Sequence, residues 1–232
     1  MKKIGIIGAM AEEVSMLIDR INDPKVTEKA GMKFTEGKLL EKEVVIVNSG
    51  IGKVNAALAA QVLVDLFDVD AIINSGVAGA ISNRLSIGDI VLSEDAVQHD
   101  MDASYFGDPV GNIPRMKESY FKGDKKLIKL AEEVCAEVNP EIHVFAGRVA
   151  SGDQFVSSAE KKHWLATTFN AMCTEMEGAA IAQAAYLNNT PFLVIRAISD
   201  KADGSATIDY NTFEKQAIMH TDKLVMGMLE RL

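Results

Sequence analysis

Short apolar runs rich in valine and isoleucine alternate along this chain with longer stretches in which apolar residues recur every three to four positions. An apolar run without polar alternation is typical of a strand buried on both faces, whereas the longer stretches have the period of a helix. The alternation predicts an α/β architecture, a mostly parallel central sheet with helices on both faces. The predicted strands cover residues 3–7, 44–48, 71–74, 90–92, 144–149 and 192–198, with 32–41 as an additional hairpin partner. The predicted helices cover residues 10–21, 53–67, 124–137, 158–167 and 175–187, and a last helix begins near residue 212 and runs to the C-terminus.

The composition excludes several classes of protein. Lysine and arginine number 24 against 33 aspartate and glutamate, a formal charge of −9, and such a chain has no electrostatic attraction for nucleic acid. No run of about 20 apolar residues is present, so we expect no membrane-spanning helix. With 48% hydrophobic residues and no linker-like tract, residues 1–232 are predicted to form one domain.

The cysteines and the first residues bear on where the protein works. Cys135 and Cys173 are too few for a disulfide framework or a four-cysteine zinc site, which favours a reducing compartment. Residues 1–11 resemble a secretory leader, but their apolar run contains two glycines and leads directly into Glu12 and Glu13. We therefore expect a first buried strand rather than a leader, and a cytoplasmic protein.

Two motifs that suggest phosphate or metal binding do not match their full patterns. The Gly-Ile-Gly-Lys segment at 50–53 resembles the end of a phosphate-binding loop, but Val47 and Val54 replace the first glycine and the Ser or Thr of that pattern. The dinucleotide fingerprint requires glycine where Asn55 stands. The His-Asp-Met-Asp segment at 99–102 has no second histidine cluster to complete a metal site. We therefore predict no metal and no cofactor.

Acidic residues and one arginine are more informative. On a helical wheel Glu12 points away from the apolar stripe, whereas Glu13 flanks it and could face the edge of the sheet. Arg196 lies inside an apolar strand, and a buried arginine requires an anion, for which Glu13 and Glu177 are the candidates. Glu177 has a second explanation, since an acid near a helix start interacts favourably with the helix dipole. Asp200 comes at the carboxyl end of its strand, where ligands bind in open α/β sheets.

Four segments, in this order and spacing, resemble one family. They are GIIGAMAEEV at 5–14, SGIGKVNAA at 49–57, EME at 175–177 and RAISD at 196–200. Together they resemble the bacterial 5′-methylthioadenosine/S-adenosylhomocysteine nucleosidases, from about residue 3 to the C-terminal helix. The resemblance implies a nucleoside phosphorylase-like three-layer sandwich with a mixed sheet. It also implies hydrolysis of the N-glycosidic bond of methylthioadenosine, adenosylhomocysteine and 5′-deoxyadenosine by a homodimer.

The resemblance implies a role for each matched residue of the reaction centre. Glu13 would activate the water that attacks ribose C1′, and Asp200, held by Ser199, would protonate adenine N7. Arg196 would orient the carboxylate and the water, and Glu177 would bind the ribose hydroxyls. Because the acid must be protonated near neutral pH, we expect burial to raise the pKa of Asp200, while Arg196 favours the ionised form of Glu13.

The same resemblance implies the walls of the site. Met176 would pack under the sugar, while Phe155 and Val156 would stack on adenine and bind its edge. Pro114 would reach the site of the neighbouring subunit. The walls around the ribose and its 5′ substituent are assigned to Ile51, Phe106 and Tyr210. The remaining matched positions are Met10, Ala78, Gly79 and Glu175.

Departures from related sequences affect the nucleophile and the substrate. Related phosphorylases bind phosphate through arginine and serine, and the corresponding positions here are Glu12 or Glu13, Asn74 and Val77. A phosphate dianion would meet a carboxylate, so water is the expected nucleophile. Val77 also removes a serine near the catalytic aspartate, and Asp108 replaces an aromatic residue of the thioalkyl pocket. The open alternatives are aminodeoxyfutalosine as substrate, phosphate-dependent cleavage, and non-catalytic nucleoside binding.

Overall fold

The computed structural model describes residues 1–232, the side chains of residues 207 and 208 excepted. The strands are β1 (Lys3–Gly8), β2 (Asn22–Lys29), β3 (Met32–Leu39), β4 (Lys42–Asn48), β5 (Ala71–Ala80), β6 (Ile90–Gln98), β7 (Tyr120–Lys122), β8 (Val144–Ser151), β9 (Cys173–Glu175) and β10 (Phe192–Asp200). The α-helices are α1 (Ser15–Ile18), α2 (Lys53–Phe67), α3 (Lys125–Val138), α4 (Ala159–Phe169), α5 (Gly178–Leu187) and α6 (Ala206–Arg231). Two short 3₁₀ helices cover Ala11–Glu13 and Ser104–Phe106.

The strands form one mixed sheet. Its order is β10-β6-β8-β9-β5-β1-β4-β3-β2, with β7 on β6 and an additional pairing of β10 with β5. β1 pairs in parallel with β4 and β5, and β5 pairs in parallel with β10, so the carboxyl ends of these strands meet at one edge. The β2–β3 and β3–β4 pairs are antiparallel. This arrangement confirms the predicted α/β sandwich with a mixed sheet.

Each face of the sheet carries its own apolar core. On β4, Val45 and Val47 contribute to the core under α2 and α5, whereas Val44 and Ile46 contribute to the core under α3 and α6. Successive side chains of a strand point to opposite faces, so a strand covered on both sides needs an unbroken apolar run. Within the described residues, no helix is both long enough and apolar enough to cross a membrane.

Two predicted helix starts and one whole helix were wrong. The predicted helix at 10–21 is a 3₁₀ turn followed by the single turn of α1, because the Glu13 carboxylate accepts the amides of Ala9 and Met10. α5 begins at Gly178 rather than at residue 175, since residues 173–175 extend the sheet as β9. α6 begins at Ala206, six positions before the predicted start at 212.

The strands reach further than the apolar runs predicted. Residues 74–79, predicted as a loop after the third strand, belong to β5, and residues 199–200 belong to β10. β2, β7 and β9 were not predicted. β2 has the sequence NDPKVTEK and is almost entirely exposed, because it is an edge strand that pairs only with β3. Such a strand shows no apolar run for the sequence pattern to detect.

Candidate active site

A cavity of about 200 Å³ opens where the carboxyl ends of β1, β5 and β10 meet. Its lining residues are Ala9, Met10, Glu13, Ile51, Val77, Ala78, Gly79, Phe155, Thr174, Glu175, Met176, Glu177, Ser199, Asp200 and Tyr210. Four of these are carboxylates, and none is lysine, arginine or histidine. Twelve of the sixteen predicted site residues therefore lie on one cavity. The three lining residues outside that prediction are Ala9, Val77 and Thr174, each of which stands beside a predicted residue in the sequence.

The Glu13 carboxyl is buried in a cradle of backbone amides. Its Oε2 accepts from the amides of Ala9 at 2.7 Å and Met10 at 3.0 Å, and its Oε1 accepts from the amide of Val77 at 3.1 Å. Burial raises the pKa of Glu13, while the Arg196 charge and the three amides act in the opposite direction. The neighbouring Glu12 is exposed, as the helical wheel predicted, although the segment is a 3₁₀ turn.

Arg196 is paired with a different acid from the two predicted. Its Nε and Nη2 donate to Oε2 of Glu175 at 3.1 and 2.5 Å, and Nη2 also donates to Oδ1 of Asn74 at 2.6 Å. Glu175 is in position because it ends β9 instead of starting a helix. Arg196 is 2% exposed and lies behind the cavity wall, so it acts on Glu13 through its charge rather than through a hydrogen bond.

Glycine at position 76 lets these charged groups approach β5. A Cβ at this position would lie 2.4 Å from Oε1 of Glu13 and 3.2 Å from Nη1 of Arg196. Contacts shorter than 3.0 Å require a neighbour to move. The Glu13 and Arg196 side chains therefore share the space that a side chain at residue 76 would fill.

Glu175 and Glu177 differ in how they are used. Glu175 accepts hydrogen bonds from the Ser151 hydroxyl and from the amides of Glu177 and Gly178, in addition to those from Arg196. Glu177 accepts one bond, from the amide of Gly52 at 2.8 Å. Burial and the nearby Glu175 charge raise the pKa of Glu177 to about 7. Glu175 is thus occupied with holding Arg196, while Glu177 keeps acceptor capacity for a ligand.

Asp200 closes the other part of the cavity at the end of β10. Its Oδ2 accepts from the Ser199 hydroxyl at 2.9 Å, and its Oδ1 accepts from the amide of Ala202 at 2.8 Å. Burial raises the pKa of Asp200, as predicted, against the effect of these two donors. Oδ1 of Asp200 lies against Gly79, where a Cβ would be 2.8 Å away. Since a strand rises about 3.3 Å per residue, the contacts of Glu13 at residue 76 and of Asp200 at residue 79 lie roughly 10 Å apart along β5.

Apolar and aromatic side chains complete the wall. The Tyr210 hydroxyl donates to Oε1 of Glu214 at 2.5 Å and lies 3.3 Å from Sδ of Met10. The Phe155 ring meets the Tyr210 ring edge-on at 6.1 Å between centroids. Phe155 and Ile51 are 53% and 55% exposed, so both present apolar surface to an incoming ligand.

Two predicted wall residues, Val156 and Phe106, lie outside this cavity, and so does Pro114, which the resemblance assigns to the neighbouring subunit's site. Val156 is buried and lines a small adjoining cavity with Gln154 and Phe155. Phe106 is 82% exposed at the end of its 3₁₀ helix, and Pro114 lies in the following loop. Neither lines the cavity of its own chain, and both are exposed. Among the described side chains, no group of three or more His, Cys, Asp and Glu is placed to hold a metal ion.

A mixed α/β sandwich with an acidic cavity at the ends of its strands places the chain in a known class, the phosphorylase superfamily. The profile of the phosphorylase superfamily matches residues 3–230, almost the whole chain.

Individual relatives narrow this class. The chain is 42% identical over 230 residues to the 5′-methylthioadenosine/S-adenosylhomocysteine nucleosidase of Staphylococcus haemolyticus, covering 99% of this chain and 100% of the relative. It superimposes on the enzyme of that name from Colwellia psychrerythraea, solved with adenine, with a TM-score of 0.95 at 39% identity, covering 100% and 96% of the two chains. The futalosine hydrolase of Helicobacter pylori gives a TM-score of 0.94 at 35% identity, covering 100% and 98%. The chain belongs to the 5′-methylthioadenosine/S-adenosylhomocysteine nucleosidase family.

Proposed function

We propose that this protein hydrolyses the N-glycosidic bond of 5′-methylthioadenosine and S-adenosylhomocysteine, and also of 5′-deoxyadenosine, releasing adenine and the 5-substituted ribose. The observation that carries this proposal is the pair of buried carboxyls, Glu13 and Asp200, on one cavity. Burial raises the pKa of both, and they contact β5 three residues apart. This is the arrangement that a reaction with a base at the sugar and an acid at the leaving group needs.

The reaction requires charge to be managed at two places. As the bond between C1′ and adenine N9 breaks, its electron pair moves to adenine, and the sugar acquires oxocarbenium character. Asp200 gives its proton to adenine N7, so that the base leaves as a neutral molecule. Water adds to C1′ and its proton passes to Glu13, whose raised pKa makes it a stronger base than an exposed carboxylate. The negative Glu13 also lies where it stabilises a positive sugar.

The remaining residues hold the nucleoside between these two groups. Glu177 has free acceptor capacity beside Met176 and is the residue we assign to the ribose hydroxyls. Ser199 holds the carboxyl of Asp200, and Phe155 supplies the aromatic face for adenine. Arg196 is a positioning residue, because Glu175 and Asn74 take its hydrogen bonds and only its charge acts on Glu13.

Water is favoured over phosphate as the nucleophile. The described residues that line the cavity include four carboxylates and no cationic side chain. Arg196, the nearest arginine, is ion-paired with Glu175. A phosphate dianion would therefore be repelled, whereas a neutral water is not.

A panel of four nucleosides tests the substrate range. We expect adenine release from methylthioadenosine, adenosylhomocysteine and 5′-deoxyadenosine, measured by the change in ultraviolet absorbance in a coupled assay. Aminodeoxyfutalosine is the second candidate, favoured by the likeness to the Helicobacter pylori futalosine hydrolase. A kcat/KM at least tenfold higher for aminodeoxyfutalosine than for the other three would make it the principal substrate.

We further propose that the protein is a cytoplasmic homodimer. Because the proposed reaction releases a ribose that carries sulfur at C5, we also propose that the protein works in methionine salvage. Large apolar residues are exposed on α2, on α5 and in the 104–106 turn, namely Val54, Leu58, Leu66, Leu187, Tyr105 and Phe106. Exposed apolar surface of this extent supports a protein contact. A second subunit on this face would bring Phe106 and Pro114 to a neighbouring site.

The free, buried thiols of Cys135 and Cys173 suit a reducing compartment, which supports the proposed cytoplasmic location.

A further inference from the structure

Two motifs that match neither a phosphate loop nor a metal site meet in the folded chain. They are Lys53, from the Gly-Ile-Gly-Lys segment, and Asp100, from the His-Asp-Met-Asp segment. Nζ of Lys53 lies 2.6 Å from Oδ1 of Asp100, and the two side chains are only 17% and 18% exposed. Nζ also donates to Oε1 of Gln98 at 2.9 Å. The ammonium group is therefore engaged within the protein.

A third residue, Asp153, closes these contacts into a ring. The second oxygen of Asp100, Oδ2, accepts from the amide of Asp153 at 3.0 Å. Oδ1 of Asp153 in turn accepts from the amide of Lys53 at 2.8 Å, at the first residue of α2. Charge-assisted bonds of this kind are stronger than neutral ones. We call the ring of Lys53, Asp100 and Asp153 the lysine clamp.

The two segments that the lysine clamp joins carry different parts of the cavity wall. Residues 50–53 carry Ile51 and the Gly52 amide, which donates to Oε1 of Glu177 at 2.8 Å. Residues 153–156 carry Phe155. The two segments are 100 residues apart in sequence, so that only tertiary contacts such as the lysine clamp hold them together.

We propose that Lys53 and Asp100 are positioning residues that hold the sugar wall and the base wall of the cavity in register. The inference rests on the proposed function, because it assigns Phe155 to adenine and Glu177 to ribose. The clamp touches neither Glu13 nor Asp200, whose carboxyls are held by the amides of residues 9, 10, 77 and 202. Its loss therefore weakens nucleoside binding and leaves the chemical step almost unchanged, which appears as a KM effect.

Steady-state kinetics of Lys53→Met, Asp100→Asn and the double variant test this role. We expect each single variant to raise KM for methylthioadenosine about tenfold and to change kcat less than threefold. The double variant is expected to match the singles, because residues of one network are not additive. Lys53→Arg keeps a cation and should recover most of the wild-type KM. The matched control is Lys3→Met, which breaks the Lys3–Glu36 ion pair of 2.8 Å at the far end of β1.

Two measurements separate this inference from the proposed function. Amide hydrogen exchange of Lys53→Met should show faster exchange in residues 50–53 and 152–156 together, whatever the substrate is. Adenine binding by calorimetry should weaken about tenfold. An unchanged KM, a loss confined to kcat, or faster exchange in only one segment overturns the clamp. If the wild-type protein binds adenine but releases none from any nucleoside, the proposed function is wrong. In that case the hydrogen-exchange result alone tests the lysine clamp.

Discussion

Among single residues, we assign opposite tasks to two buried carboxyls, Glu13 and Asp200. Both have a pKa raised by burial, but their donors differ. Glu13 accepts three backbone amides, which favour its ionised form, whereas Asp200 accepts one amide and one hydroxyl. Asp200 is therefore the better candidate for the protonated acid and Glu13 for the base.

Asp200→Asn removes the proton that adenine N7 requires while keeping the size of the side chain. We expect kcat to fall by about 10²–10⁴-fold, the range typical of a general acid, with adenine affinity changed less than fivefold. Stopped-flow or discontinuous adenine assays measure the first quantity and calorimetry the second. Asp203→Asn, a nearby acid outside the cavity, serves as the control. Near-normal turnover of Asp200→Asn would refute the assignment.

Glu13→Gln removes the carboxylate that we propose as the base for the attacking water. Its expected loss in kcat is also about 10²–10⁴-fold. The matched control is Glu12→Gln, because Glu12 is exposed and this substitution changes the net charge by the same amount. Wild-type rates for Glu13→Gln, or equal losses for the two variants, would exclude Glu13 as the base.

The pH dependence follows from the same two groups. As pH falls through the raised pKa of Glu13, the base becomes protonated and the rate declines. As pH rises through the raised pKa of Asp200, the acid loses its proton and the rate declines again. The profile of kcat is therefore expected to be bell-shaped, and Glu13→Gln should remove its acidic limb. A wild-type profile that rises without limit at high pH would contradict an acid role for Asp200.

Individual site residues could be predicted from motifs, but their partners could not. Glu13 and Asp200 stand in segments with family resemblance, and both lie on the cavity. The sequence predicts Glu13 or Glu177 as the anion beside Arg196, whereas in the structure the partner is Glu175. The partner in an ion pair depends on which strands lie next to each other in the sheet. Glu175 ends β9, which is only three residues long and therefore too short to show a periodic pattern in the sequence.

At the scale of elements, β5 is the support of the site. Its backbone passes Glu13 at residues 76–77 and Asp200 at residue 79, and it pairs with both β1 and β10. The sequence predicted only the first four residues of this strand, because the serine and glycines in the remainder are typical of a turn. The small residues are instead required by the carboxyls that pack against the strand.

Gly76→Ala tests this support. The new Cβ would lie 2.4 Å from Oε1 of Glu13, so the carboxyl must move away from its amide donors. We expect kcat/KM to fall by at least 100-fold and the free energy of unfolding to fall by about 1–3 kcal/mol, as in other overpacked sites. Gly204→Ala is the control, since nothing lies within 4 Å of its Cβ. Wild-type kinetics in Gly76→Ala would show that the position of Glu13 at β5 is not critical.

At the scale of the whole molecule, the sequence predicted the layers of the fold well and its periphery poorly. The buried strands can be recognised in the sequence because they have unbroken apolar runs. The polar edge strand β2 has no such run and was not predicted.

The proposed dimer can be tested on the exposed apolar face. Light scattering is expected to give twice the mass of one chain, and Leu58→Glu should produce a monomer with at least tenfold lower kcat/KM, since each site would lose the partner's loop. Leu58 is 46% exposed on α2. Val26→Glu, at a 55% exposed position on β2, should leave both mass and activity unchanged. A fully active wild-type monomer would rule out the shared site.

Adenine release from methylthioadenosine in phosphate-free buffer is the decisive measurement for the proposed hydrolysis. We expect complete conversion to adenine and free methylthioribose, at a rate that added phosphate does not increase. Formation of a sugar 1-phosphate, or a rate that requires phosphate, would show instead that the cavity binds a phosphate dianion beside Glu13. Absence of adenine release under both conditions would contradict the proposed nucleosidase activity itself.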